Sequence, residues 1–147
     1  MGGAHTANIM AVQVKICGIN SITAADAAVR AGAEFGGLVF FAKSPRHLTL
    51  EQAAPLAARM RGRLKLAALV VDESDEQLSA IATHIRPDFF QLHGQETPQR
   101  VAEIVSRFGV PAIKALALAE PGRLLFFASI AVGLYRAQGL SRSRVGA

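Results

Sequence analysis

Cys17 is the only cysteine among 147 residues, and it stands where an apolar strand stops. Val12, Val14 and Ile16 alternate along Val12-Gln13-Val14-Lys15-Ile16-Cys17, and Gly18 with Asn20 marks a turn. A free thiol ionises near pH ~8.5, so modest tuning makes such a group a base near neutrality. The plain alternative is a small buried apolar residue, the usual fate of an unpaired cysteine. More chemistry recurs downstream: Lys43-Ser44-Pro45-Arg46, then Asp72, then Gln91 and His93, then Lys114. Arg46 is either a solvated guanidinium or a fork that takes a carboxylate through two parallel hydrogen bonds. His93 either ties down a loop carbonyl or offers its imidazole to a ligand. Asp72 opens the acidic run Asp72-Glu73-Ser74-Asp75-Glu76, whose ordinary place is a helix N-terminus. Lys15 and Lys114 fall in strands, where a buried ammonium is costly, so one is expected to face the site or snorkel. A thiol, a guanidinium and an imidazole beside glycine turns fit an anionic small molecule.

What brings such side chains together is the order of the elements. Strand patterns at Val12–Cys17, Phe35–Phe41, Leu64–Val71, Asp88–Leu92 and Val110–Leu116 alternate with helix patterns. One helix is expected from a Ser21 or Thr23 cap through Ala24–Arg30 to Gly32, and a second over Leu50–Met60 after Thr49. A third spans Glu76–His84, and a fourth runs from Thr97-Pro98 to Gly109. In the fourth, Val101, Ile104, Val105 and Phe108 share one face. Apolar strands between amphipathic helices mean a parallel sheet covered by helices. The strand ends recur at intervals of roughly 20–30 residues, the size of a βα unit. Two closures fit: an open five-stranded doubly wound sheet, or the first part of an eight-stranded βα barrel. In both, the residues just after each strand share one rim.

Hydrophobic residues make up 51% of the chain and charged ones 18%, which excludes a disordered polymer and fits one domain with its own core. One cysteine forms no internal disulfide, and metal-type C-x-x-C spacing is absent, so a reducing, cytoplasmic setting is expected. The net charge of +5 is unevenly placed. Through Glu120, twelve Lys+Arg face eleven Asp+Glu; Arg123, Arg136, Arg142 and Arg144 then follow with no acid. No zinc-finger or aromatic-basic signature accompanies them, so nucleic acid is not an expected partner. Residues 1–11 read as a loose leader without a secretory pattern. No apolar run approaches the ~20 residues of a membrane-spanning helix.

Three segments carry a resemblance. Val14-Lys15-Ile16-Cys17-Gly18, Gly37-Leu38-Val39-Phe40 leading to Lys43-Ser44-Pro45-Arg46, and Gln91-Leu92-His93-Gly94 are similar to the phosphoribosylanthranilate isomerase family of tryptophan biosynthesis. Val70-Val71-Asp72 and Ile113-Lys114-Ala115 fit the same order, and the register holds over residues 12–118. The resemblance implies the barrel rather than the open sheet. The expected fold is an α/β, TIM-type parallel βα-barrel, incomplete, with about five βα units and an atypical tail. It also implies an Amadori rearrangement of N-(5-phosphoribosyl)anthranilate to 1-(2-carboxyphenylamino)-1-deoxyribulose 5-phosphate. By that similarity Cys17 removes the proton from the sugar C2, Arg46 holds the anthranilate carboxylate, and Gln91 and His93 lie beside the substrate. An aspartate after the sixth strand would open the furanose ring as general acid, and loops after strands seven and eight would hold the phosphate. Neither a metal nor an organic cofactor is implied.

The resemblance fades after Leu118. The last aspartate is Asp88, and no later segment is a glycine-rich phosphate loop. Such barrels take ~200 residues or more, so a partial barrel is expected over 12–118 and a divergent basic and apolar tail over 119–147. That tail has the composition of a reading-frame slip in a GC-rich gene, or of truncation. Five βα units leave two unpaired sheet edges, and the Leu124–Val132 run is expected to cover the opening as a helix or strand. Self-association, or a complementing barrel half, is the other expected remedy. Two functions therefore compete: an isomerase chain with part of its equipment, and a non-catalytic remnant that keeps a half-barrel for binding.

Overall fold

A computed structural model describes residues 12–116 and the backbone of Ile130–Tyr135. The expected leader and the remainder of the expected tail lie outside the described residues. Strands β1 (Lys15–Cys17), β2 (Phe35–Val39), β3 (Lys65–Val70), β4 (Phe89–Leu92), β5 (Ala112–Leu116) and β6 (Ile130–Tyr135) form one sheet in chain order. The first five run parallel, in registers such as Cys17↔Gly37, Val39↔Leu69, Leu69↔Gln91 and Leu92↔Lys114. Helices α1 (Ile22–Arg30), α2 (Leu50–Met60), α3 (Asp75–His84) and α4 (Pro98–Phe108) connect them. β6 returns antiparallel against β5. One of the two expected open edges is thereby covered, by a strand of a direction that no local pattern announces.

The helix-facing row of the sheet includes Leu38, Leu66, Ala68, Val70, Phe90, Leu92 and Ala112. It packs into one core with Ala25, Leu56, Met60, Ile81, Val101 and Ile104 from the four helices. All four helices therefore cover the same face. A doubly wound sheet has helices on both faces and reverses its strand order at a switch point. Consecutive order with one covered face is instead the winding of a βα barrel. The five parallel strands form a curled half-barrel.

Local chemistry explains where the helices start. Ser21, Thr49, Ser74 and Thr97 each accept a hydrogen bond from the amide three residues on. Thr49 and Gln52 complete a reciprocal capping box, and Pro98 occupies a first-turn position that needs no donor. The acidic run does stand at the start of α3, as expected: Ser74 is the cap and Asp75 and Glu76 lie in the first turn, while Asp72 itself stands outside the helix. A Cβ at Gly36 would stand 2.8 Å from Met60 Sδ, which is why bare backbone is needed where α2 lies on β2. Asp26 ties α1 to α2 through two hydrogen bonds from Arg59, of 2.6 and 3.1 Å. Asp75 ties α3 to α4 through Arg100 and Arg107. Pairs this open to solvent add little, so the buried apolar row carries the fold.

At the amino-terminal rim of the strands, Glu34 accepts the Val14 N–H at 2.6 Å and Asp88 accepts the Leu66 N–H at 2.7 Å. The acids at that rim close strand starts. Replacing Leu66, 1% exposed, by alanine is expected to cost about 2–5 kcal/mol. In urea this reads as a lowered midpoint with an unchanged slope. Val12→Thr, at a position 86% exposed, leaves the midpoint where it was.

Candidate active site

Parallel pairing sends every strand-to-helix turn to one rim, and three of the residues singled out from sequence meet there. β1 delivers Cys17 at its last position, the turn after β2 delivers Arg46, and the turn after β4 delivers His93. With Val39, Phe41, Ser44, Leu69 and Val71 they line a cavity of about 450 Å³, within the range of small-molecule sites. All three polar residues are exposed, so the thiol opens to solvent and is not sunk in hydrocarbon. The walls are apolar and the polar groups stand at the lip. A cleft of about 510 Å³ on the outer side, between Thr49 and Gln77, is larger but holds neither the thiol nor the guanidinium.

Two bare backbone positions make this arrangement possible. Gly18 has φ +78°, and a Cβ there would overlap the side chain of Arg46. With no Cβ in the way, Arg46 lies over the β1 turn and donates from Nη1 to the Cys17 carbonyl at 3.3 Å. Its own N–H donates to Ser44 Oγ at 3.1 Å. Among the described residues no carboxylate bridges this guanidinium. A Cβ at Gly37 would stand 3.2 Å from Lys15 Nζ and 3.4 Å from Cys17 Sγ. A cation and the thiol thus share one bare patch of β2.

Gln91 lies on the same face as His93, two residues lower in β4 and level with Leu69. It is buried and is not part of the cavity lining. Its Oε1 has no hydrogen-bond partner among the described residues, an unusual and costly state for a buried amide. Of the two strand lysines, Lys15 is the one that reaches the patch beside the thiol, as expected of one of them, whereas Lys114 turns elsewhere. It pairs with Leu92, on the helix-facing row, so it does not face the cavity. Its buried ammonium turns to the loop after β4, donating to the Gly94 carbonyl at 2.6 Å and to Glu96 at 2.7 Å.

Glu96 escaped the sequence reading, because a lone glutamate before a capping threonine carries no motif. Its carboxylate also accepts the Asp72 N–H at 2.9 Å and the Gly94 N–H at 3.0 Å. Asp72 Oδ1 in turn accepts the Gln95 N–H at 2.6 Å, which is the role this aspartate has in place of capping. Burial pushes the Glu96 carboxyl up, but hydrogen bonds from the Lys114 ammonium and from backbone N–H groups outweigh it. The net effect holds Glu96 below the ordinary carboxylate range. Among the described residues no three His, Cys, Asp or Glu side chains cluster as metal ligands would, and no helix is long and apolar enough to cross a membrane.

Residues 14–125 match the family described as N-(5'phosphoribosyl)anthranilate (PRA) isomerase. An N-(5'-phosphoribosyl)anthranilate isomerase of Rhodopseudomonas palustris (strain BisA53) is 53% identical over 110 residues, covering 75% of this chain and 50% of the relative. The fold superposes with a TM-score of 0.69 and 30% identity on a phosphoribosyl anthranilate isomerase crystallised with reduced 1-(o-carboxyphenylamino)-1-deoxyribulose 5-phosphate, covering 74% of this chain and 55% of that one. The Thermus thermophilus enzyme gives 0.67 and 33%, with 76% and 55% covered. The chain spans about half the length of the curated relatives it matches.

Because Glu96 binds its proton less tightly when folded, the unfolded chain takes up that proton first as pH falls. Its stabilising contribution is complete above the ordinary carboxylate range, ~4.3, and drains away as pH drops through it. Urea midpoints followed from neutrality to about pH 3 are expected to fall more steeply for this chain than for Glu96→Gln. Equal slopes would remove the carboxylate from this role.

Proposed function

The chain belongs to the N-(5'-phosphoribosyl)anthranilate isomerase family, and from that premise we propose that its carboxyl rim is the base-bearing part of an active site. The reaction is the Amadori rearrangement of N-(5-phosphoribosyl)anthranilate to 1-(2-carboxyphenylamino)-1-deoxyribulose 5-phosphate, part of cytoplasmic tryptophan biosynthesis. The observation that carries this reading is the meeting of thiol, guanidinium and imidazole, from the ends of β1, β2 and β4, around one cavity with apolar walls.

Each group has a task that suits its setting. The ring-opened substrate is an iminium, which acidifies the neighbouring C–H, so a thiolate at Cys17 suffices to take the C2 proton. General-base catalysis of this kind contributes roughly 10²–10⁴ in rate. Arg46 offers its fork to the anthranilate carboxylate, and Val39, Phe41, Leu69 and Val71 supply an apolar bed for the aromatic ring. His93 stands beside the substrate at the lip, and the orphaned Oε1 of Gln91 awaits a donor beneath it.

Ring opening also needs an acid at the furanose oxygen. Asp88, the last aspartate of the sequence, sits at the opposite rim and is engaged with the Leu66 N–H. Neither it nor any later residue matches the family's acid, and no segment matches the phosphate loops. Turnover on this reading needs an acid and a phosphate loop from a complementing barrel half that carries them, and the described rim contributes the base and the carboxylate-binding guanidinium. The family's catalytic role and the remnant reading are reconciled in this way.

Calorimetry with reduced 1-(o-carboxyphenylamino)-1-deoxyribulose 5-phosphate tests the site. Arg46→Ala is expected to weaken binding by about 10- to 100-fold, the worth of a charged hydrogen-bonded contact, whereas Cys17→Ala changes it little. In a tryptophan auxotroph lacking the isomerase, growth restored by the chain together with a barrel half that carries the acid is expected to vanish with Cys17→Ala. Binding indifferent to Arg46, or growth that survives loss of the thiol, would refute the assignment.

A further inference from the structure

The buried pair Lys114–Glu96 is outside the cavity, yet it holds both peptide units that bracket His93. On the amino side, the His93 N–H donates to the Val70 carbonyl at 2.9 Å and Lys114 Nζ approaches the Leu92 carbonyl at 3.5 Å. On the carboxyl side, the Gly94 N–H of the His93–Gly94 peptide donates to Glu96 at 3.0 Å, and one peptide further on the Gly94 carbonyl accepts from Lys114 at 2.6 Å. Fixing the two flanking peptide planes fixes the backbone dihedrals of His93, and with them the direction of its Cα–Cβ bond. The same carboxylate takes the Asp72 N–H, and Asp72 takes the Gln95 N–H. A Cβ at Gly94 would collide with the Asp72 carboxylate, so the two lips, after β3 and after β4, are locked against one another. The side chain of Glu96 is 4% exposed and that of Lys114 11%. An ion pair so enclosed must recover its desolvation through geometry, and the geometry here is spent on one short loop.

We propose that Lys114 and Glu96 are positioning residues for His93: the pair sets where the imidazole stands over the cavity without itself touching a ligand. The effect on ligand binding rests on the functional reading above, whereas the loop-locking part does not.

Two measurements on the full chain test this. In the first, amide hydrogen exchange is compared between the unsubstituted chain, Lys114→Met and Lys114→Met/Glu96→Gln. The double variant removes the lone buried charge that threatens folding in the single one. The amides of Asp72, Gly94 and Gln95 are expected to exchange at least ~10-fold faster, with those of Phe40 and Phe90 unchanged. Those two reference amides donate to Leu69 and Pro111 within the sheet region. Unaltered protection in the loop, or equal loss in loop and sheet, overturns the proposal. In the second, binding of reduced 1-(o-carboxyphenylamino)-1-deoxyribulose 5-phosphate is measured for the double variant with His93 present and with His93→Ala. A pair that acts through His93 weakens binding in the first background and adds no loss in the second. Equal losses in both overturn it. Should the analogue fail to bind even the unsubstituted chain, the proposed function falls, and the exchange experiment alone decides the locking of the loop.

Discussion

From β2 to β5 each strand pairs parallel with its predecessor, and all four described helices pack on one side of the sheet. Under that constraint the chain has no choice about where its β-to-α turns emerge. They share a rim, and the αβ loops share the other. The division of labour follows directly. Glu34 and Asp88 spend their carboxylates on strand-start amides at the amino-terminal rim, while Cys17, Arg46 and His93 stand free of the core at the opposite one. Because the helix-facing row alone supplies the main core, the rim residues can be chosen for chemistry with little consequence for packing.

The site is shaped as much by missing atoms as by functional groups. Without a Cβ at Gly18 the guanidinium folds over the β1 turn, and without one at Gly37 the Lys15 and Cys17 side chains pass over the same backbone. The lip after β4 follows the other strategy, a dense set of hydrogen bonds around an enclosed ion pair. Such a pair is a doubtful source of stability, since desolvation offsets much of its attraction. Its distinctive contribution is directional: a carboxylate with several N–H donors tolerates few arrangements of the loop around it.

Local signals in the sequence specified the helices well. The expected bounds of α2 agree with the structure, and α4 starts at the expected Thr97-Pro98 and stops before Gly109, because caps and a 3.6-residue period are local physics. β1 was over-read. Val12 and Val14 alternate as a strand should, but pairing begins only at Lys15, opposite the first residue of β2. Phe40 and Phe41 likewise read as strand and leave it, and Phe41 becomes cavity wall. Periodicity left barrel and doubly wound sheet undecided since strand order is a non-local property; the family resemblance decided it, and the observed order agrees. Gln91 shares the face of His93 in the structure, but neither alternation nor the resemblance says anything of depth, so its burial was not legible. Which of Lys15 and Lys114 faces the thiol was not legible for a related reason: the face of Lys114 depends on its register with Leu92, a relation between two distant segments. Glu96 had no pattern at all to betray it.

The strand β6 has a consequence for how a full cylinder could arise. Its antiparallel ladder occupies the hydrogen-bonding groups of β5 that a sixth parallel strand would need. The present carboxyl-terminal strand and an acid-bearing continuation are thus rivals for one seat, and closing the cylinder there demands eviction before docking. Among the described residues the β1 edge carries no such incumbent, so the two edges of the sheet present different conditions to an incoming strand.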